Sequence, residues 1–282
     1  MNRRAFLVQS AAFALASSAP TFAFAEPARR AHFQPTRFSV QVVGTGPDVL
    51  LIPGLTSGRD VWRRAVAAVP GYRYHLLQVA GFAGDPAGGN ADGPVVAPLV
   101  EEIARYIETR AIARPAVIGH SMGGTVGMML AARHPGLVGR LMVVDMTPQP
   151  TSLYGGAMGS QLARGLQSMV ASREGRQLLS GIISAFSPPA AADARSDPDV
   201  VARAMHDLGT LDMTGDLARI RAPLTVLYAS PSGDTRASTE RSFAAAYANA
   251  RGARLVRIDD SGHMIMADQP DRFAREMSHF LR

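Results

Sequence analysis

The sequence predicts an α/β domain, a mostly parallel sheet with helices on both faces. Short apolar runs that read as strands alternate with stretches of helical periodicity along most of the chain. One junction joins a strand, a turn of the form Gly-x-Ser-x-Gly and a helix. The 282 residues, 47% hydrophobic and 18% charged, suffice for one large domain with a sizeable core.

Phe38-Ser39-Val40-Gln41-Val42-Val43 alternates, as a half-buried strand does, and Gly44-Thr45-Gly46-Pro47 is a turn. Val49-Leu50-Leu51-Ile52 is continuously apolar, the pattern of a strand buried on both faces. His75-Leu76-Leu77-Gln78-Val79 is another strand. Leu99, Val100, Ile103 and Ile107 share one helical face. Ala116-Val117-Ile118 leads into Gly119-His120-Ser121-Met122-Gly123-Gly124, and a helix follows to His134-Pro135-Gly136. Leu141-Met142-Val143-Val144 ends at Asp145. Leu224-Thr225-Val226-Leu227-Tyr228 and Leu255-Val256-Arg257-Ile258 are the last strands. Phe273, Met277, Phe280 and Leu281 make the apolar stripe of a closing helix. Residues from about 150 to 212 break the rhythm. Gly155-Gly156, Pro188-Pro189 and the helical spacing of Leu162, Leu166, Met169 and Val170 predict a helical cap inserted into the domain.

The first 25 residues read as an export signal. Arg3-Arg4-Ala5-Phe6-Leu7 resembles the twin-arginine pattern, an apolar stretch follows, and Ala23-Phe24-Ala25 is a small-x-small cleavage site. The expectation is a mature domain of residues 26–282 in the periplasm or outside the cell, with no stable membrane insertion after signal removal. The chain has no cysteine, which excludes disulfides and thiolate metal sites. All 29 basic residues are arginine, and the net charge of +6 is spread without a basic block. No nucleic-acid partner is expected. No cluster of His or Cys at ligand spacing calls for a metal, and no cofactor is expected.

Ser121 is the candidate nucleophile. A sharp strand-to-helix turn forces strained backbone angles on it and lifts its hydroxyl clear of the sheet. The flanking glycines leave room for closely approaching backbone. A serine needs a base, an acid that orients the base, and donors for the oxyanion. His263 is the base candidate. It sits just past the last apolar strand beside Gly262, where a loop at a strand's carboxyl end can project over the sheet edge. His120, inside the elbow, is expected to line or pack the site.

Ile52-Pro53-Gly54-Leu55, the elbow, and Ser261-Gly262-His263 followed by Pro270 together resemble the α/β-hydrolase superfamily, over roughly residues 36 to 282. The resemblance implies a capped serine hydrolase, esterase-like, with a mostly parallel eight-stranded sheet. It implies oxyanion donors at the backbone N–H groups of Leu55 and Met122. Relatives often carry His-Gly where this chain has Pro53-Gly54, a change that spares the N–H at 55. Many relatives place the acid after a late strand, where Ser232 stands here and Asp234 lies two residues on. Others place it after the strand that ends at Val144, which selects Asp145. Asp145 is preferred and Asp234 is the alternative, because a loop shifted by two residues seldom keeps its side chain aimed. Asp145 could also cap the turn at Thr147-Pro148. Asp212 is read as structural. The expected activity is cleavage of a carboxylic ester or lactone, a small-molecule substrate, through an acyl-enzyme on Ser121. The alternatives are a carbon–carbon bond hydrolase, a peptidase, or a binding protein that kept the fold without turnover. The sequence leaves the physiological substrate and the oligomeric state open.

Overall fold

A computed structural model describes residues 33–154, 195–230 and 233–282. The expected export signal and most of the expected cap lie outside these residues. The described residues belong to one unit, Phe33–Arg282.

The sheet is built from β1 (Phe38–Val43), β2 (Asp48–Ile52), β3 (Arg73–Val79), β4 (Ala116–His120), β5 (Arg140–Val144), β6 (Leu224–Ser230) and β7 (Arg254–Asp259). Their order is β1-β3-β2-β4-β5-β6-β7. β1 runs antiparallel to β3, and every other pairing is parallel. The expectation of eight strands is therefore corrected to seven among the described residues. Each apolar run singled out in the sequence forms one of the seven. The eighth came from the family resemblance, and no segment of strand pattern stood behind it.

The helices are α1 (Arg63–Ala68), α2 (Val96–Thr109), α3 (Met122–Arg133), α4 (Pro198–Thr210), α5 (Arg236–Ala246), α6 (Ile265–Asp268) and α7 (Pro270–Leu281). Their packing explains the uninterrupted apolar strands. Successive side chains of a strand point to opposite faces, so a strand covered on both sides must be apolar throughout. Leu50 and Ile52 of β2 join Leu99 and Ile103 of α2 and Val126 and Leu130 of α3 on one face. Val49 and Leu51 join Trp62, Phe273 and Met277 on the other. β5 divides likewise, with Leu141 and Val143 facing one cluster and Met142 and Val144 the other.

α4 closes the segment expected to be a cap, and it is fixed to the body. The Asp197 side chain caps it by accepting from the backbone N–H groups of Asp199 (2.9 Å) and Val200 (3.1 Å), and Pro198 occupies its first turn. Val200 packs on Gly81, where a Cβ would come within 2.7 Å of the valine side chain. Asp207 of α4 accepts from the N–H groups of Val95 (2.7 Å) and Val96 (2.9 Å). That places a carboxylate at the start of α2, where N–H groups lack intrahelical partners and the helix dipole favours negative charge.

Candidate active site

The parallel strands all present their carboxyl ends at one edge, and the loops leaving that edge carry the candidate residues. β2 leads into Pro53–Leu55, β4 into Ser121, β5 into Asp145, and β7 into the loop bearing His263. The strain falls there too. Thr56, Ser121 and Asp145 have positive φ values of 60°, 53° and 50°. Non-glycine residues in that region cost on the order of 1–3 kcal/mol each and persist where surrounding structure imposes them.

Ser121 has φ 53° and ψ −121° between β4 and α3. Its N–H donates to the Val144 carbonyl at 2.9 Å, which ties the turn to β5. The glycines are required by close approach. A Cβ at 119 would strike the Gly123 carbonyl, and a Cβ at 123 would strike the Ile52 carbonyl. Ser121 is partly exposed, whereas both neighbours in sequence are buried.

Asp145 and His263 meet. The Asp145 Oδ2 lies 2.7 Å from the His263 Nδ1. The Asp145 Oδ1 accepts from the Ala229 N–H at 2.8 Å. The Asp145 backbone N–H donates to the Leu227 carbonyl at 2.8 Å. β6 therefore aims the carboxylate, and the carboxylate holds the imidazole. Because a carboxylate only accepts, His263 carries a hydrogen on Nδ1 and leaves Nε2 free to take a proton. The Asp145 side chain is buried, while His263 is 38% exposed. The Asp145 turn is braced from behind. The Tyr247 hydroxyl donates to the Met146 carbonyl at 2.6 Å, and burial holds that phenol well above its ordinary pKa, with the Asp145 charge adding to the shift.

His263 sits beside the elbow. Its ring centroid lies 4.7 Å from that of His120, with the planes tilted by 48°. The His120 Nε2 lies 3.0 Å from the His263 carbonyl oxygen. Among the described residues no hydrogen bond joins the Ser121 hydroxyl to His263. Catalytic hydrogen bonds of this type commonly tighten only as substrate binds. The loop after β2 packs on the same residues. A Cβ at Gly54 would lie 2.9 Å from the His120 Nδ1 and 3.1 Å from the Ser121 Cβ. Leu55, next along, thus begins beside Ser121. Met122 is the first residue of α3, so its N–H is one of the helix's unpaired donors at the positive end of the dipole.

The other sequence candidates fall elsewhere. Asp234 belongs to the short turn Gly233–Thr235, and its side chain lies outside the described residues. Asp212 accepts from the Thr214 N–H at 2.8 Å in a local turn, and hydrogen bonding from the Thr214 side chain first, with that N–H second, holds its carboxyl below the usual range. Asp259 is engaged by Arg257 and Arg236. Among the described residues no group of three or more His, Cys, Asp or Glu could hold a metal ion. None of the described helices is long and apolar enough to cross a membrane. Sequence reasoning missed the anchors of the histidine loop. Asp268 accepts from the Gly262 N–H at 2.9 Å, and the Gln269 side chain donates to the Asp260 carbonyl at 2.8 Å. Both follow the loop within a few residues, but neither stands in a pattern that marks it.

The sheet order, the elbow and the carboxylate–imidazole pair define a class, the α/β hydrolases. A family model described as "Alpha/beta hydrolase family" matches residues 49–276. The chain belongs to that family, and it is a hydrolase. It is similar to the pimeloyl-[acyl-carrier protein] methyl ester esterase of Vibrio atlanticus (strain LGP32). The two are 28% identical over 214 residues, which span 68% of this chain and 79% of the esterase. The enzyme of the same name from Vibrio cholerae serotype O1 is 25% identical over 264 residues, spanning 85% and 96% of the two chains. Among solved structures, the enol-lactonase from Burkholderia xenovorans LB400 superposes with a TM-score of 0.64 at 21% identity. That superposition covers 86% of this chain and 96% of the lactonase.

Proposed function

We propose that this chain hydrolyses a carboxylic ester or lactone through an acyl-enzyme on Ser121. His263 is the general base, Asp145 orients it, and the Leu55 and Met122 N–H groups receive the oxyanion. The observation that carries the reading is the 2.7 Å bond between Asp145 and His263 Nδ1, which directs the basic Nε2 away from the carboxylate. Ser121 attacks the ester carbonyl as the His263 Nε2 takes its proton. Negative charge gathers on the carbonyl oxygen and is met by the two N–H donors, which need no reorganisation to receive it. Collapse expels the alcohol, which takes the proton from His263. Water then attacks the acyl group with His263 again as base, freeing the acid and Ser121.

The esterase names of the relatives favour an ester over the carbon–carbon and peptide alternatives. The reading of a binding protein without turnover drew its support from a displaced acid, and the Asp145–His263 pair removes that ground. Export belongs to the same proposal, carried by Arg3-Arg4 and Ala23-Phe24-Ala25. Changing both arginines to lysine should leave the precursor in the cytoplasm on fractionation. Equal processing of the variant would remove the twin-arginine reading.

The experiment for the chemistry is Ser121→Ala assayed with p-nitrophenyl esters of graded chain length. The variant should lose turnover with every ester that the wild type cleaves. Turnover within a few-fold of wild type would overturn the mechanism.

A further inference from the structure

Three loops of the site meet on the side chain of His120. The ring is buried, 1% exposed. One edge faces the histidine loop, where Nε2 lies 3.0 Å from the His263 carbonyl oxygen. A carbonyl only accepts, so Nε2 carries the hydrogen and Nδ1 the lone pair. The other edge lies against Gly54 in the loop after β2. The ring face approaches the His263 ring, 4.7 Å away between centroids. Its own backbone is the first half of the elbow, one residue before Ser121.

We propose that His120 is a positioning residue for the Ser121–His263 pair. Its Nε2–H holds the backbone of the base at a fixed place relative to the nucleophile, and its ring seats the loop that leads to Leu55. The inference rests on the acyl-transfer reading above.

The other bonds of the histidine loop do different work. Asp145 grips the imidazole at Nδ1 and so sets its tautomer and rotation. Asp268 and Gln269 bind the Gly262 N–H and the Asp260 carbonyl from the chain that follows, so they set the loop's shape. The His120 bond runs from the elbow to the loop backbone. It makes the serine–imidazole separation a property of a single rigid turn.

The unpartnered edge supports this assignment. Among the described residues the His120 Nδ1 has no hydrogen-bond partner. A buried polar atom left without one is costly, and an apolar side chain would fill the space without that cost. The donor on the opposite edge accounts for a histidine here. Charge matters as well. Burial, with the neighbouring His263 adding to it, depresses the His120 pKa to about 3. The ring therefore stays neutral while His263 carries the transferred proton. An arginine or lysine could donate to the same carbonyl, but its charge would oppose the imidazolium beside it.

The test compares His120→Phe, which keeps a flat ring without the donor, with His120→Gln, which keeps a neutral amide donor. Both are normalised to sites titrated with a fluorophosphonate. We expect kcat of His120→Phe for a p-nitrophenyl ester to fall about 10–100-fold with KM nearly unchanged, the size of loss that misplacement by about 1 Å causes. His120→Gln should recover most of it. A purely structural role would lower the thermal midpoint and spare kcat per titrated site. The inference is overturned if His120→Phe stays within about threefold of wild type in kcat, or if His120→Gln is no better than His120→Phe. Should His120→Phe fail to fold, the ¹⁵N imidazole spectrum of the wild type decides. A neutral Nε2–H ring from pH 8 to 5 is expected, and a His120 that titrates near 6.5 or carries its hydrogen on Nδ1 refutes it. An inert Ser121→Ala beside an unimpaired His120→Phe would sink this inference alone. An active Ser121→Ala would sink the acyl-transfer reading beneath it.

Discussion

Replacing Asp145 with asparagine should damage the chemistry more than the removal of one charge suggests. The Asp145 Oδ1 accepts from the Ala229 N–H at 2.8 Å, and that donor is buried and fixed in β6. The asparagine carbonyl must take that place, because its amino group would clash donor against donor. The amino group then faces the His263 Nδ1, where Oδ2 now stands 2.7 Å away. To accept from it, His263 must move its hydrogen to Nε2, the nitrogen that should receive the serine proton. In serine proteases the equivalent change lowers kcat by about 10⁴ through the wrong tautomer. At about 1.36 kcal/mol per decade, that is about 5 kcal/mol of barrier. We predict a loss of about 10³–10⁴ in kcat for Asp145→Asn, with KM within a few-fold. Asp145→Ala imposes no tautomer and should lose no more. The assay is steady-state hydrolysis of a p-nitrophenyl ester, with Asp234→Asn as the control expected to stay within a few-fold of wild type. A kcat for Asp145→Asn within tenfold of wild type, or a larger loss from Asp234→Asn, would refute the reasoning.

Ser121→Gly should melt higher than wild type while losing activity. Glycine relieves the strain of φ 53° at a gain of about 1 kcal/mol after its own entropy cost, and an unchanged or lower midpoint would contradict this. Gly123→Ala should unfold the elbow, because its Cβ would meet the Ile52 and Pro53 carbonyls, which cannot retreat. A loss of about 3 kcal/mol or more is expected in urea melts, and a fully stable, active variant would argue against the packing. Stability should also fall with acid through His75. This buried ring binds the Asp48 carboxylate (2.7 Å) and the Tyr106 hydroxyl (2.8 Å), with Arg73 and Arg110 nearby, and burial lowers its pKa. Its contribution is complete above the unfolded value near 6.5 and is lost as pH drops through the folded one, at no more than about 1.36 kcal/mol per pH unit. Asp48, lowered chiefly by Arg73, loses its contribution in the same direction at lower pH. Urea midpoints between pH 7 and 5 should fall more steeply for wild type than for His75→Gln, and parallel slopes would reject the assignment.

The elbow was readable in the sequence because its signature is local, although the Ile52 carbonyl that requires Gly123 and the Val144 carbonyl that holds Ser121 come from other strands. The apolar strand, the two glycines demanded by crossing carbonyls and the helix behind them lie within about twenty residues of one another. Asp145 was a harder choice. Its aim depends on Ala229 and Leu227 of β6, far along the chain, and only the pairing of β5 with β6 brings them together. His75 was read as opening a strand, yet it sits inside β3 between Asp48 and Tyr106, contacts that the sheet register and α2 create. Asp207, which caps α2 from α4, carries no local mark of that role. α5 has no clean apolar stripe. Phe243 alone among its residues is buried, so periodicity had little to find.

The central claim is a serine made nucleophilic by an imidazole brought to it from the far end of the chain. Intact-mass analysis after brief exposure to a fluorophosphonate, followed by peptide mapping, tests it most directly. One adduct should appear on Ser121 in the wild type, and its rate of formation should collapse in His263→Ala. An adduct on another residue, or equal labelling of Ser121 without His263, would contradict the account.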